Sequence, residues 1–501
     1  MQSTRIWLGA AVLGTALSAH AAPRQADKPP VEWAAYIEAV RAADRMEGAE
    51  ARCLAHPDLP GNRWRPDAGK WRCAVLREPL HSLDAIERLL QTEAGRAELE
   101  RDFAQLLDAH YSDPDRREQI FNAFYPFDRS DRAGKIANRW LEAAPDSAFA
   151  HAALASHHDA LGWAARGTAY ARDTSDEQLE RMTANFSKAV PLYLKALEIE
   201  PRLSPACTEL AAIGRQSSDA LQTYAIAACT KVDPDSYHVT LERLNGAQPK
   251  WGGSDTQLRE AVAHAEARVT RNPMLGALLG EGAGYAPSNA EDFREVADEL
   301  AAAAQMGPSA GLSGRAGSGY QRRGEFWAAI VYLSQSLRYA PEDASRRYQR
   351  AGALHAVSEL DWALRDMEVV LRHEPDDGWH QLRMGEILAE RDGDRAAREH
   401  FKRAATFPET RKHALRQLCG GLLHDREHGQ AGACTLEFIT AYPSDGEAWL
   451  QRTHFLVATK SPQASAAIER FLKHADLSDE RQQAAVEWFT QPRTPKGAGA
   501  K

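Results

Sequence analysis

Two histidine groups in this 501-residue chain are spaced as metal ligands could be. His424 and His428 lie four apart, with Asp425 and Glu427 between them. On a helix that spacing puts both imidazoles on one face. Glu does not follow the first His, however, and Gly429 comes directly after the second. A solvated turn is the favoured reading. In the second group, His151, His157, His158 and Asp159, the seven-residue step from His151 to His158 shares one helical face. Polar residues lining a groove are the favoured reading there. A third candidate is Trp251-Gly252-Gly253-Ser254, with Arg166 as a distant partner. Glycines free to take positive φ, followed by a capping Ser, could present backbone amides to an anion at a helix N-terminus. A packing anchor at Trp251 and a structural ion pair at Arg166 are the simpler readings. No glycine-rich phosphate loop, nucleophile elbow or Cys/His nucleophile context occurs. The expectation is a non-enzyme without a cofactor or resident metal.

The six cysteines fall into three local pairs: Cys53 with Cys73, Cys207 with Cys229, and Cys419 with Cys434, at separations of 20, 22 and 15. The first pair encloses a Pro- and Trp-rich loop. The midpoint of the second falls at residue 218, inside the polar turn Gln216 to Asp219. The third is centred in the polar stretch His424 to Gly429. In an antiparallel hairpin each of these two pairs is level, within reach of a disulfide. Oxidising surroundings are implied.

The beginning of the chain agrees. Arg5 precedes an uncharged apolar stretch from Ile6 to Ala19, and Ala19-His20-Ala21 has the small-x-small pattern of a signal-peptidase site. Cleavage after Ala21 and a periplasmic or secreted location are expected, with residues 1–21 as the signal and a short linker from Ala22 to Pro30. No later segment reads as a transmembrane span. The net charge of −9 argues against a general nucleic-acid binder, which needs basic surface.

What must position these residues is a helical repeat. Prolines recur at 201, 234, 273, 308, 341, 375, 408 and 443, in steps of 33, 39, 35, 33, 34, 33 and 35. Proline ends a helix and biases the residue before it away from helical geometry. Between the prolines, small and large residues alternate at helical spacing: Gly317, Tyr320, Ala329, Leu333; Ala351, Leu354, Ala363, Met367, Val370; Gly385, Leu388, Ala397, Phe401, Ala404. This pattern resembles the tetratricopeptide repeat, whose unit is a helix-turn-helix of about 34 residues. The fold expected is all-α, with antiparallel hairpins stacked as a right-handed solenoid after a less regular helical N-terminal part. One departure stands out. Arg347 and Arg350 occupy positions that the family usually makes apolar, which predicts loose packing or an exposed basic strip. Asp361-Trp362 and Gly393-Asp394 sit where turns between paired helices should be.

The resemblance implies that first-helix residues line a concave groove, with Tyr348, His355, Trp379 and Glu386 as the candidates. Residues 123–287 also resemble an uncharacterised bacterial family, the domain of unknown function numbered 4034. The likeness rests on Trp163-Ala164-Ala165-Arg166-Gly167, the helix Phe186 to Leu197 before Pro201, and Pro249-Lys250-Trp251-Gly252-Gly253-Ser254. That family has no established activity. The organisation expected is a helical region over 22–122 with the Cys53–Cys73 loop, an irregular helical-repeat domain over 123–290, a repeat array over 291–490, and a disordered tail over 491–501. The function expected is an exported scaffold that holds a protein or peptide partner. A metal-binding protein or hydrolase with its site in 150–255 is one alternative. A self-associating cell-envelope component is the other.

Overall fold

The structure is a computed structural model that describes residues 27–167 and 173–491. The expected signal segment and nearly all of the expected tail lie outside these residues. All regular secondary structure among the described residues is helical. None of these helices is long and apolar enough to cross a membrane. The chain forms two compact units: residues 31–324 with 331–341, and residues 342–491 with 27–30 and 325–330.

The second unit is regular. Its hairpins are Ala344–Ala356 with Leu360–His373, Gly378–Asp392 with Asp394–Ala404, Arg411–His424 with His428–Ala441, and Gly446–Ala458 with Ala464–His474. Glu480–Thr490 follows, against the first helix of the last hairpin. Each helix packs on its hairpin mate and on the start of the next hairpin, and first helices also meet the next first helix. The chain is therefore an all-α array of stacked antiparallel hairpins.

The proline ladder has a local cause. Two residues after Pro341, Pro375 and Pro443 come Asp343, Asp377 and Asp445. Each accepts the backbone N–H three residues on, at 2.9 Å, and so caps the next first helix. Pro234 works the same way through Ser236 and Val239 N, at 3.3 Å. The proline stops one helix and the cap starts the next.

The small residues admit large ones. A Cβ on Gly385 would lie 2.5 Å from the Phe401 ring, and one on Gly317 would lie 2.6 Å from Leu333. The two arginines correct the sequence reading: they are neither loose nor exposed. Arg350 is 0% and Arg347 6% exposed. Arg350 donates from Nε and NH2 to both Asp366 oxygens at 2.7 and 2.8 Å, and Arg347 donates to Asp366 at 2.7 Å. The Arg350 guanidinium also lies 5.1 Å from the Trp362 ring centroid. Trp362 is itself buried within its helix, so the turn sits earlier, around Ser358 at φ 60°. Gly393, at φ 90°, does form a turn.

The first unit uses longer, less even helices, including Glu93–Ser112, Asp131–Ala143, Ala148–Arg166, Asp176–Ile199, Ser204–Ser217, Asp219–Val232, Tyr237–Ala247 and Asp255–Glu266. Its start is broken: Val31–Ala43 and Ala49–Ala55 are separate helices with Gly48 at φ 81° between them. An aromatic cluster anchors the core, with Phe103 edge-on to Phe124 at 5.4 Å and to Trp140 at 5.1 Å. The cysteines pair as their spacing predicts, with Cα atoms 5.7, 5.7 and 5.5 Å apart. The Cys53–Cys73 loop is held within this unit by Arg338, which donates to Cys53 O at 3.0 Å and to Asp58 at 2.6 Å.

Candidate functional site

Stacked first helices put the expected groove residues on neighbouring turns of one face. The Tyr348 ring lies 4.9 Å from the His380 ring. Arg383 sits 5.7 Å from the Tyr348 centroid and pairs with Glu386 at 3.5 Å. His355 reaches Glu390 at 2.9 Å. Trp379 packs at 5.7 Å on His413 of the following first helix and remains 43% exposed. His380, Arg383, Glu390 and His413 were missed in the sequence. The signal was there for two of them: 379, 383, 386 and 390 follow one helical stripe.

The Trp251 loop forms as a short turn with Gly252 in the left-handed region at φ 85°. A Cβ on Gly253 would stand 2.1 Å from Ala247 O, so close backbone approach explains that glycine. Ser254 caps the helix Asp255–Glu266, accepting Gln257 N–H at 3.3 Å. Its hydroxyl thus takes up an amide that an anion would have used. Arg166 donates to Gln216 at 3.2 Å and to Gly167 O at 3.1 Å. Arg215, not Arg166, covers the Trp251 ring, at 5.6 Å.

The histidine groups are also redistributed. His424 bonds Asp394 of the preceding hairpin at 2.8 Å. Asp394, His424 and Asp425 are the one group of three among the described residues whose ligand atoms lie mutually within 4.8 Å. His428 is not part of it. Arg398 already pairs with Asp425 at 2.5 Å and with Glu427 at 2.9 Å, so a cation is present there. His151 donates to Pro145 O at 3.0 Å, while His157 reaches Asp128 O at 2.7 Å. His151 and His158 gather no third ligand among the described residues.

Two buried polar clusters in the first unit bring together residues that the sequence does not join. In one, Glu118 N–H donates to His110 Nδ1 at 2.9 Å, which leaves Nε2 to donate to Asp233 at 2.5 Å. Ser204 Oγ donates to the same Asp233 oxygen at 2.8 Å. Ser, His and Asp are together, but the carboxylate bridges the other two and no Ser–His bond forms, so this is no nucleophile–base pair. Its contacts tie the Glu93–Ser112 helix to the segment that precedes Tyr237.

The second cluster lies against a cavity of about 300 Å³. Asp159, from the Ala148–Arg166 helix, hydrogen-bonds Glu209, from the Ser204–Ser217 helix. Burial, and then the Glu242 carboxylate, pushes Glu209 up to about 7. Burial beside Glu209 raises Asp159 well above the usual carboxylate range. The two buried carboxyl groups therefore share a proton. His238 stacks on Phe121 at 4.1 Å, and burial followed by the Arg72 charge brings it down to about 3, so it is neutral. No local motif marks these groups, because their partners lie on different helices.

No family model matches the chain, and no curated protein matches it either. Neither therefore supports the resemblance of residues 123–287 to the domain of unknown function 4034. Among solved structures the chain is similar to yeast Tom70, at 11% identity over 77% of this chain and 94% of that one, with a TM-score of 0.31. It is also similar to the TPR domain of P58(IPK), at 13% identity over 77% of this chain and 97% of that one, with a TM-score of 0.24.

Proposed function

We propose that the chain is an exported, non-catalytic helical-repeat scaffold that holds a protein or peptide partner on the first-helix face of residues 344–458. One observation carries the reading. Trp379, a large aromatic residue 43% exposed, stands in the middle of a stripe whose other members are already oriented by neighbours. Exposed, preorganised aromatic residues flanked by Arg and His are the residues that dominate binding when a partner covers them. Tyr348, His355 and Glu386 flank it on the same face. Three disulfides with no cysteine left over support an oxidising compartment, periplasmic or extracellular.

The test begins with crosslinking in the native envelope and identification of the partner by mass spectrometry. The purified partner is then titrated against the wild type and the Trp379→Ala/Tyr348→Ala variant. The expected result is binding weakened about tenfold or more. Unchanged capture of every copurifying envelope protein defeats the reading. Light scattering on the purified chain distinguishes self-association from a monomeric adaptor.

A further inference from the structure

We propose that the cavity beside Asp159 and Glu209 is a binding site for a small primary ammonium ion on an apolar stem. The walls are aromatic: Phe124, Phe127 and Tyr193 line it, and Tyr125, 55% exposed, stands at its rim. Aromatic faces attract cations, and more strongly where water is excluded. Both carboxyl groups line the same space. Asp159 is only 6% exposed, yet its Oδ1 has no hydrogen-bond partner. A buried polar atom left unpaired is costly, and a donor-bearing ligand removes that cost.

The charges nearby decide the sign of the ligand. No Lys or Arg lines the cavity. Arg215, whose charge acts on Glu209, is engaged by Glu242, and Arg72 lies 4.9 Å from the Tyr237 ring. His238 lines the cavity in its neutral form. Asp128 also lines the cavity, so its lining carries carboxylate and no cation, and Asp159 Oδ1 is an unused acceptor. A primary ammonium supplies one positive charge and three N–H donors. Its alkyl stem would lie against Phe124, Phe127 and Tyr193. A cavity of about 300 Å³ accommodates a short amine or the end of an aminoalkyl chain. This site is independent of the groove on the other unit.

The probes are n-pentylammonium, its neutral counterpart 1-pentanol, and pentanoate, each titrated calorimetrically into the full chain. The wild type is expected to bind pentylammonium at least about tenfold more tightly than pentanol, the difference made by one charge-assisted hydrogen bond, and to reject pentanoate. The Asp159→Asn/Glu209→Gln variant is expected to lose that preference while its circular dichroism stays that of the wild type. Equal binding of pentanol and pentylammonium overturns the proposal, since the cavity is then only an apolar hole. So does undetectable binding of pentylammonium, or an unchanged preference in the variant. The three-ligand comparison on the wild type decides the matter even if the variant does not fold.

Discussion

Each unit buries charge inside a helical layer, and the two do so in opposite ways. In the second unit Arg347 and Arg350 converge on Asp366, so every charge has an oppositely charged partner within 2.8 Å. In the first unit Asp159 meets Glu209, a like-charged group, and one acceptor stays unpaired. The arginine cluster closes on itself and leaves nothing for a ligand to satisfy. The carboxyl pair is stable only while protonated or countered by a cation. Packing alone explains the first arrangement. The second holds a cost that a structural role does not require, and such sites are where binding is found.

The sharpest way to break the comparison is to remove the shared acceptor. Asp366→Ala leaves two buried guanidinium groups without their carboxylate. The expected loss is about 3–5 kcal/mol of unfolding free energy, the cost typical of breaking a buried pair from one side. Urea denaturation of the chain measures it. A loss under about 1 kcal/mol means that water or backbone takes over, and the cluster is then not closed as described.

Disulfide removal compares the two units on equal terms. Cys419→Ala/Cys434→Ala and Cys207→Ala/Cys229→Ala each open a single hairpin, with separations of 15 and 22. Loop entropy predicts a loss of about 3 kcal/mol in each case, slightly more for the longer loop. Thermal unfolding with and without reductant checks this. A much smaller loss for the pair at 207 and 229 shows that the irregular unit is held at that hairpin by other contacts.

The carboxyl pair answers to pH. Glu209 holds its proton more tightly in the folded chain than in the unfolded one, where the group titrates near 4.5. Its contribution to folding is thus fully present below about pH 4.5 and is lost as pH rises to about 7. Glu209→Gln removes that loss. The variant is expected to match the wild type near pH 4 and to exceed it by on the order of 2 kcal/mol near pH 8. His454 has the opposite sign. Burial brings it down to about 4 from 6.5, and both ring nitrogens lack partners. Its stabilising share is present above about pH 6.5 and falls away toward pH 4, so His454→Leu flattens the acid limb of the second unit.

How far these features could be read from the residues depended on distance along the chain. The proline steps, the caps two residues after them and the level cysteine pairs are local facts, and the hairpins follow from them. Arg347 and Arg350 were visible as departures from the repeat, but Asp366 lies across the hairpin, 16 to 19 residues on, and no pattern announced it. Asp159 and Glu209 are further apart still, on helices that the Asp176–Ile199 helix separates in the chain. Asp159 drew notice only as a neighbour of His157 and His158, and the chemistry then suggested was metal binding. His424 was matched to His428 by helical spacing, yet the turn at Asp425 to Glu427 separates them and turns His424 toward Asp394.

The smallest stability effect should come with the largest effect on binding. Trp379 packs on the His413 ring and is 43% exposed, so Trp379→Ala gives up the buried half of the side chain and leaves the rest of the array intact. The expected loss of unfolding free energy is about 1–2 kcal/mol, below that expected for Asp366→Ala. Asp366 and Trp379 then separate the two roles of the same helical array: one substitution strongly destabilises it while the other leaves it folded and unable to hold a partner. A stability loss above about 2 kcal/mol for Trp379→Ala makes this residue part of the inter-repeat packing. The first-helix face would then have to bind through Tyr348, Arg383 and Glu386.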